Sequence, residues 1–468
     1  MVKVVGLLSQ LNTVRVLVIG DFMLDTYTRG KVKRISPEAP VSVLHVQSED
    51  SLPGGAGNVV LNLISLGAKV TAIGRVGEDA AGSQLIRSLE QEGVDVSGIL
   101  LQKGFQTPVK NRLIADSQQV LRVDFETPSP ISETFEQLVI KKILSHLESV
   151  DIVTVSDYGK GFLSRLLLRT VIQNAKKRKI PIIVDPKGVD FTVYRYATIL
   201  KPNLSEAYAA AKLPLDAPLD HVADVLLQNV HVDMLLITRS EEGMTLFTKE
   251  GERMDFPVRL KEVIDVTGAG DTVLAVISMA LGNGLGIKYG AEIANIAAGM
   301  AIEKVGCTRI NLSELAVRLL EYDVENKIFD EEHLFALKHA LNGNQYTVLG
   351  LDSTQGMTTA LFRSMRQIAS KTKEKKLIVY LRDNEPDEEF VSLLSSLSEV
   401  DFIILKCESL KNLCEIIRPE EVYVIKDDML ISLENPSDLL ELSMASTIIP
   451  KQLQFLLASQ SSLQGEDA

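Results

Sequence analysis

The segment DVTGAGDTV (265–273) sets a carboxylate, Asp271, directly behind two glycines, Gly268 and Gly270. Glycines at this spacing permit a tight turn whose backbone N–H groups face one way. The apolar run that follows reads as a helix, and its N-terminus adds partial positive charge at the same point. Gly268, Ala269 and Gly270 would then form a hole for an anion such as a phosphoryl group in transit. Asp271, in the first helical turn, is placed to take a proton from an attacking hydroxyl. Taken alone, the same residues also read as a turn followed by an ordinary acidic first-turn residue. No G-x-x-x-x-G-K-[ST] occurs in the chain, so this is not a Walker loop.

Two further segments carry chemistry. LPGGAGNVVLNLISLGAKV (52–70) holds Gly54, Gly55 and Gly57, which allow close backbone approach to a ligand, and Asn58, which both donates and accepts. A dinucleotide fingerprint fails on context. The glycines follow no buried strand, and no acidic residue ends a second strand about 20 residues on. GDFMLDTYTRG (20–30) puts Asp21 and Asp25 at the expected end of the first core strand, where carboxylates suit sugar hydroxyls better than a metal.

The elements that must position these residues are short Val/Ile-rich runs at 14–20, 70–77, 150–157, 180–186, 197–203 and 232–240. Helix-like segments lie between several of them, at Glu133–Glu148, Leu163–Lys179 and Leu219–Asn229. Continuous apolar strands alternating with helices predict an α/β fold with a parallel sheet covered on both faces. Such sheets bind ligands at the C-terminal strand ends. Gly20-Asp21, Ser156-Asp157, Asp185-Pro186-Lys187, Lys201-Pro202-Asn203 and Thr238-Arg239-Ser240 should therefore converge on one cleft. Segments 39–47 and 108–125 read as strands with a polar face and no intervening helix, and predict a small antiparallel lid.

After residue 318 the apolar pattern weakens through a charged stretch and restarts at YTVLGL (346–351). This predicts a first domain over 1–318, a linker over 319–345, a second domain over 346–456 and a disordered tail over 457–468.

Composition narrows the function classes. The net charge of −13 over 468 residues argues against a broad nucleic-acid interface. Three cysteines in no C-x-x-C pair, and six scattered histidines, offer neither a disulfide framework nor a zinc site. No run of 18 apolar residues and no A-x-A cleavage pattern is present, so a cytoplasmic protein with no membrane partner is expected.

The three glycine- and aspartate-bearing segments, in this order, resemble the pfkB/ribokinase family of carbohydrate kinases. PGGAGNVVLNLISLG is similar to the family's N-terminal signature and DVTGAGDTV to its C-terminal one. GDFMLDTYTRGKVKRISPEAPVSVL, SDYGKG, VDPKGVDFTVYRYATILKPNLSE and LLITRSEEGMTLF resemble more narrowly the kinase half of bifunctional heptose 7-phosphate kinase/heptose 1-phosphate adenylyltransferases, over about residues 10–315. The resemblance implies a ribokinase-like three-layer sandwich with a β lid, a smaller Rossmann-like nucleotidyltransferase-type domain, and use of ATP and Mg2+. It makes Asp271 the base and Gly268–Gly270 the anion hole. Asn203 and Glu206 would lie near ATP phosphates and, indirectly, magnesium. Thr238 and Gly243 would line the nucleotide, with Asn295 near adenine. Asp25, Gly54, Gly55 and Asn58 would hold the sugar. Lys110, Arg112, Arg122, Arg34 and Lys187 are candidates for the sugar's 7-phosphate, because a phosphorylated substrate needs cations. The implied reaction makes heptose 1,7-bisphosphate, toward the ADP-heptose of the lipopolysaccharide inner core. A homodimer paired through the lids and a separate adenylyltransferase are the partners to expect. Another sugar phosphate, a fully bifunctional enzyme and a non-catalytic scaffold are the alternatives.

The second domain departs from the family pattern. Where an FD…HxGH motif belongs, the chain reads GLDSTQGMTTALF, with Gln355 and Thr358 at the histidine positions. Neither residue can act as an imidazolium on a leaving pyrophosphate. A VKGGDY-like element reads VIKDDM (424–429), with Lys426 and Asp427 replacing glycines, and a STTNII-like element reads ASTIIP (445–450). A folded domain without adenylyltransferase activity is expected.

Overall fold

The computed structural model describes residues 11–433 except 117, 259–262, 305, 323–326, 330–333, 335–336, 339–344, 372–374, 384–385, 406–409 and 427–428. Asp427, the ASTIIP element, the tail and much of the expected linker lie outside the described residues. The chain divides into two compact units, one comprising Gln10–Leu315 and the other the described residues from Ala316 onward.

In the first unit, β1 (Arg15–Gly20) ends at the glycine–aspartate pair and the chain continues at once into β2 (Phe22–Ile35) and β3 (Ser42–Gly55). Then come α1 (Ala56–Ser65), β4 (Lys69–Gly77), α2 (Ala80–Gln91), β5 (Asp95–Gln102), β6 (Val109–Ala115) and β7 (Gln118–Phe125). The alternation resumes with α3 (Glu133–His146), β8 (Ile152–Ser156), α4 (Arg165–Lys177), β9 (Ile182–Asp185), β10 (Ile199–Leu200), α5 (Leu204–Ala211), α6 (Leu219–Val230) and β11 (Met234–Thr238). β12 (Met244–Thr248), β13 (Arg253–Phe256), α7 (Ala269–Gly282) and α8 (Ile287–Ile302) complete it, and α9 (Leu312–Tyr322) runs across the division at Leu315.

The main sheet has the order β13-β12-β11-β10-β9-β8-β1-β4-β5. Every pairing from β11 to β5 is parallel, and β12 and β13 are antiparallel additions. Strands are apolar on both faces because helices cover both: β8 (IVTVS) is buried at every position. Side-chain caps fix helix starts, with Ser132, Ser164 and Asn203 each accepting a backbone N–H of the helix that follows. From β1 the chain winds one way to β4 and later the other way through β8 to β9. The crevice between β1 and β8 is thus the topological switch point, the usual ligand position in open α/β sheets. Gly20 makes the approach there tight enough that a Cβ would stand 2.3 Å from the Ser156 carbonyl oxygen.

The lid differs from expectation in two ways. It has the order β3-β2-β6-β7, and β2 pairs with β6 in parallel, so the sheet is mixed rather than antiparallel. Asp25 lies on lid strand β2, one strand beyond the core strand whose end it was expected to occupy. The alternating polar and apolar residues of TRGKVKRI concealed this strand, which is buried only over its first half.

The second unit contains β14 (Ile328–Phe329), β15 (Tyr346–Leu351), α10 (Thr359–Lys371), β16 (Lys376–Leu381), α11 (Glu388–Ser396), β17 (Phe402–Ile404), α12 (Leu410–Ile417), β18 (Glu421–Lys426) and β19 (Met429–Leu433). Its sheet runs β14-β17-β16-β15-β18-β19, all parallel except β19. Here the switch point is between β15 and β18, at the end of YTVLGL. Among the described residues, no helix of the chain is long and apolar enough to cross a membrane.

Candidate active site

Asp271 sits in the first turn of α7, only 5% exposed. Asn58 Nδ2, from α1, donates to its Oδ2 at 2.7 Å, and the Tyr158 hydroxyl donates to its Oδ1 at 2.8 Å. Burial pushes this carboxyl up to about 6, against the pull of the two hydrogen bonds. That keeps it ionised at neutral pH yet basic enough to take a proton. Gly268 is the N-cap of α7 with φ 82°, a left-handed conformation that favours glycine. A Cβ there would also meet Asn58 Nδ2 at 2.9 Å. One glycine therefore shapes the turn and leaves room for the residue that holds the base.

Four of the five strand ends expected to converge contribute to one cavity, and Gly20-Asp21 does not line it. The cavity, of about 470 Å³, is lined by Asp157, Asp185, Lys201, Asn203 and Glu206 and also by Val263, Val266, Asn295 and Ile302. Thr238, Gly243, Ala269 and Gly270 line it as well. A lining that combines charged and apolar side chains suits the phosphates and base of a nucleotide. Asn203 caps α5 in a reciprocal capping box with Glu206. Asn295 Nδ2 donates to the Pro257 carbonyl at 2.9 Å, which leaves its side-chain oxygen for a ligand.

Lys201 was not singled out from sequence. Its ammonium is 2.9 Å from Asp185, is 3% exposed, and lies 3.5 Å from where a Cβ on Gly270 would stand. It is a buried cation beside the anion hole. The only sequence sign was its place in KPN at a strand end. Asp157, whose Oδ2 accepts from the Tyr194 hydroxyl at 2.7 Å, is likewise pushed up to about 6 by burial and by Asp21.

On the lid side, Asp25 is 4% exposed, and Arg112 donates to its Oδ1 at 2.5 Å. Gly54 faces this pair so closely that a Cβ would fall 1.9 Å from Asp25 Oδ2. Gly55 has φ 57° and leads straight into α1. Lys110 and Arg112 lie two apart on β6, and Arg122 is the register partner of Arg112 on β7, so the three share one lid face. Burial pulls the Lys110 ammonium down, and neighbouring Lys160 pulls it further.

Two expected phosphate ligands are not brought to this face. Arg34 is exposed at the far end of β2, roughly 30 Å along the strand from Asp25 at 3.3 Å per residue. Lys187 pairs with Glu206 at 2.7 Å and lines the nucleotide cavity, because the turn after β9 carries it toward α5. Spacing along the chain could show neither the length of β2 nor the direction of that turn.

In the second unit, Asp352 at the end of β15 accepts from Arg382 Nε at 3.0 Å. The Ser353 N–H donates to Asp383, and Ser353 Oγ accepts from the Asp387 N–H at 3.0 Å. Thr358 Oγ1 accepts from the Leu361 N–H at 3.1 Å and so caps α10.

A family model described as pfkB family carbohydrate kinase matches residues 14–314. Bifunctional protein HldE of Trichlorobacter lovleyi is 45% identical over 333 residues, which are 70% of this chain and 68% of that protein. HldE of Geobacter sulfurreducens is 44% identical over 67% of this chain and 64% of its own length, and HldE of Desulfatibacillum aliphaticivorans is 35% identical over 88% of each. The chain thus aligns with under two thirds of the Geobacter protein and slightly more of the Trichlorobacter one. Solved structures agree on the fold. Escherichia coli phosphofructokinase-2 with potassium has a TM-score of 0.55 at 19% identity, over 66% of this chain and all of that one. Arabidopsis thaliana ribokinase with ribose and ATP has a TM-score of 0.51 at 18% identity, over 66% of this chain and 99% of that one. With a buried carboxylate beside a glycine turn, a cavity at the strand ends lined by charged and apolar groups, and this match over residues 14–314, the chain belongs to the pfkB family of carbohydrate kinases, ATP-dependent enzymes of ribokinase-like fold.

Proposed function

We propose that the chain transfers the γ-phosphoryl group of ATP to the anomeric hydroxyl of D-glycero-D-manno-heptose 7-phosphate, giving heptose 1,7-bisphosphate, and that it does so in the cytoplasm. The observation that carries this reading is the buried Asp271 carboxylate in the first turn of α7, behind the Gly268 turn, held by a tyrosine whose ring the lid residue Lys110 meets at 5.7 Å. The names of the 35–45% identical relatives support it.

The chemistry follows from the groups present. ATP lies in the cavity with its base against Val263, Val266 and Asn295 and its phosphates toward Lys201, Asn203 and Gly270. The sugar lies under the lid, its hydroxyls on Asp25 and the Gly54–Gly55 backbone and its phosphate toward Lys110, Arg112 and Arg122. Asp271 accepts the proton of the attacking hydroxyl. The N–H groups of Gly268 and Gly270 and the Lys201 ammonium then neutralise charge on the transferring phosphoryl group, while the Ala269 N–H donates to the Val266 carbonyl within the turn.

Among the described residues, no cluster of three or more His, Cys, Asp or Glu side chains is placed to hold a metal ion. Magnesium suits the site nonetheless, since it prefers waters and nucleotide phosphates with one or two carboxylates, and Glu206 lines the cavity for an indirect contact. When bound, it would supply charge neutralisation of the β- and γ-phosphates.

The second unit is assigned no adenylyltransferase activity. Support comes from β15, where Asp352 is tied to Arg382, and from Thr358, which is used as a helix cap where the motif needs an imidazole. The lid carries exposed Val46, Val120, Leu121 and Phe125, which supports a homodimer paired through the lids. The deciding experiment is ATP consumption over heptose, sedoheptulose, ribose and fructose phosphates side by side, with Asp271→Asn as the control. Heptose 7-phosphate should give the highest kcat/KM, and the variant should lose turnover while keeping its fold. A preference for another sugar phosphate sinks the substrate reading. A loss of less than about tenfold in kcat sinks Asp271 as the base.

A further inference from the structure

We propose that Tyr158 is a positioning residue for phosphoryl transfer: its hydroxyl fixes the plane of the Asp271 carboxylate and ties that plane to the position of the lid. This rests on the reading of Asp271 as the base.

The geometry has three parts. First, the carboxylate is held at both oxygens, by the Tyr158 hydroxyl at 2.8 Å on Oδ1 and by Asn58 Nδ2 at 2.7 Å on Oδ2. Each carboxylate oxygen has two lone pairs, so one on each remains for the acceptor hydroxyl. With one donor the carboxylate could swing about its Cβ–Cγ bond; with two it cannot. Burial and the Asp271 charge push the Tyr158 phenol well above its ordinary value, so it stays a donor across the working pH range.

Second, Tyr158 is itself anchored. Its backbone N–H and that of Lys160 both donate to Asp21 Oδ2 at 3.0 Å, at the switch point between β1 and β8. Arg75 donates to the Lys160 carbonyl at 2.6 Å, and Gly159 and Gly161, with φ 68° and 89°, give the loop its shape. The residue that orients the base is thus tied to the buried Asp21 at the end of β1.

Third, the ring of Tyr158 meets the lid. The Lys110 ammonium, on β6, stands 5.7 Å from the ring centroid, within cation–π range. Lys110 is also the register partner of Asp25 on β2. A lid that closes on the sugar phosphate moves Lys110, and so presses on the ring whose hydroxyl holds the base.

The test is the pH profile of kcat for Tyr158→Phe, beside Asp271→Asn. Other charged groups face the pair: Asp185 and Lys201 at the ends of β9 and β10, Cys307 after α8, Asp21 and Asp157 at the ends of β1 and β8, and Lys110 on the lid. All remain in the variant. Removing a donor to the charged carboxylate raises its pKa, so the acidic limb should move to higher pH. We expect kcat to fall about 10–100-fold with the KM for ATP within about twofold. A 2,3-difluorotyrosine at 158, a stronger donor of nearly the same shape, should move the limb to lower pH, and it carries the test if Tyr158→Phe fails to fold. In a double-mutant cycle, Lys110→Met and Tyr158→Phe should be non-additive in kcat/KM. A Tyr158→Phe enzyme with kcat within twofold of the parent and an unmoved limb overturns the proposal, and additivity overturns the tie to the lid. An inactive Asp271→Asn with an unaltered Tyr158→Phe sinks this proposal alone. An active Asp271→Asn sinks the base assignment and this proposal with it.

Discussion

Gly54→Ala is a one-methyl change with a large predicted effect on the sugar and little on the nucleotide. Gly54 has ordinary backbone angles, so the cost is one of space rather than φ. A Cβ would stand 1.9 Å from Asp25 Oδ2, 2.6 Å from its Cγ and 3.3 Å from Met23 Cγ. Ordinary contact begins near 3.4 Å, so the Asp25 carboxylate must turn away or β3 must shift. Either movement breaks its 2.5 Å pairing with Arg112, in which the two side chains are 6% and 11% exposed. Leaving one member of such a buried pair uncompensated costs roughly 3–5 kcal/mol. Part of that is recovered by local relaxation and part appears as lower thermal stability. If about 3–4 kcal/mol reaches the sugar site, kcat/KM for the sugar phosphate falls about 10²–10³-fold, at about 1.4 kcal/mol per decade. Gly54 does not line the nucleotide cavity, so the KM for ATP should stay within about threefold. Initial rates in a coupled ADP assay, varying each substrate in turn, separate the two. A sugar KM and kcat within threefold of the parent would refute the placement of Asp25 and Arg112 against the substrate.

Asp271 must be ionised to act, so kcat at saturating substrate should fall as pH drops through about 6, by about tenfold at pH 5. The sign for stability is the reverse. A carboxyl raised by burial favours the protonated folded state, so what Asp271 and Asp157 contribute to stability is fully present below about 4 and is lost as pH rises through about 6. Thermal melts between pH 4 and 7 on Asp157→Asn against the parent should show the variant gaining most at the high end. For the second unit, the full-length protein given ATP and heptose 1-phosphate should release no pyrophosphate above background, and clear turnover would overturn the assignment of an inactive domain.

Much of the first unit was legible because buried parallel strands leave continuous apolar text. The helices expected at Glu133–Glu148, Leu163–Lys179 and Leu219–Asn229 appear as α3, α4 and α6 with ends shifted by a residue or two. What stayed hidden lies where the periodic signal is mixed. β2 and β3 form a long ribbon with a polar outer half, so the chain from Phe22 to Gly55 read as a strand end, a loop and a short strand. Tyr158 went unread, and Lys201 was read only as part of a strand end, for another reason. A tyrosine and a lysine at strand ends are common, and only packing shows that one donates to the base and the other is buried beside the anion hole. Arg34 shows the converse error, since a cation near a sugar-binding segment in sequence is carried far away by an extended strand.

The second unit sharpens this contrast between text and geometry. YTVLGLD ends at the switch point of its sheet, the position where an open α/β sheet presents a ligand site. Position alone would make it a nucleotide site, yet the groups there are turned toward one another. Asp352 is held by Arg382, Ser353 by Asp383 and Asp387, and Thr358 by the first turn of α10. Two of these contacts occupy donors that a bound phosphate could use, the Arg382 guanidinium and the Ser353 N–H. Restoring histidines at positions 355 and 358 would therefore fall short of restoring an adenylyltransferase. The Thr358 cap would be lost, and the Asp352–Arg382 pair would still occupy the end of β15. Loss of the motif and the pairing of groups at the end of β15 are independent observations, and both support the proposal that the second unit lacks adenylyltransferase activity and that the first unit carries the chemistry proposed for this chain.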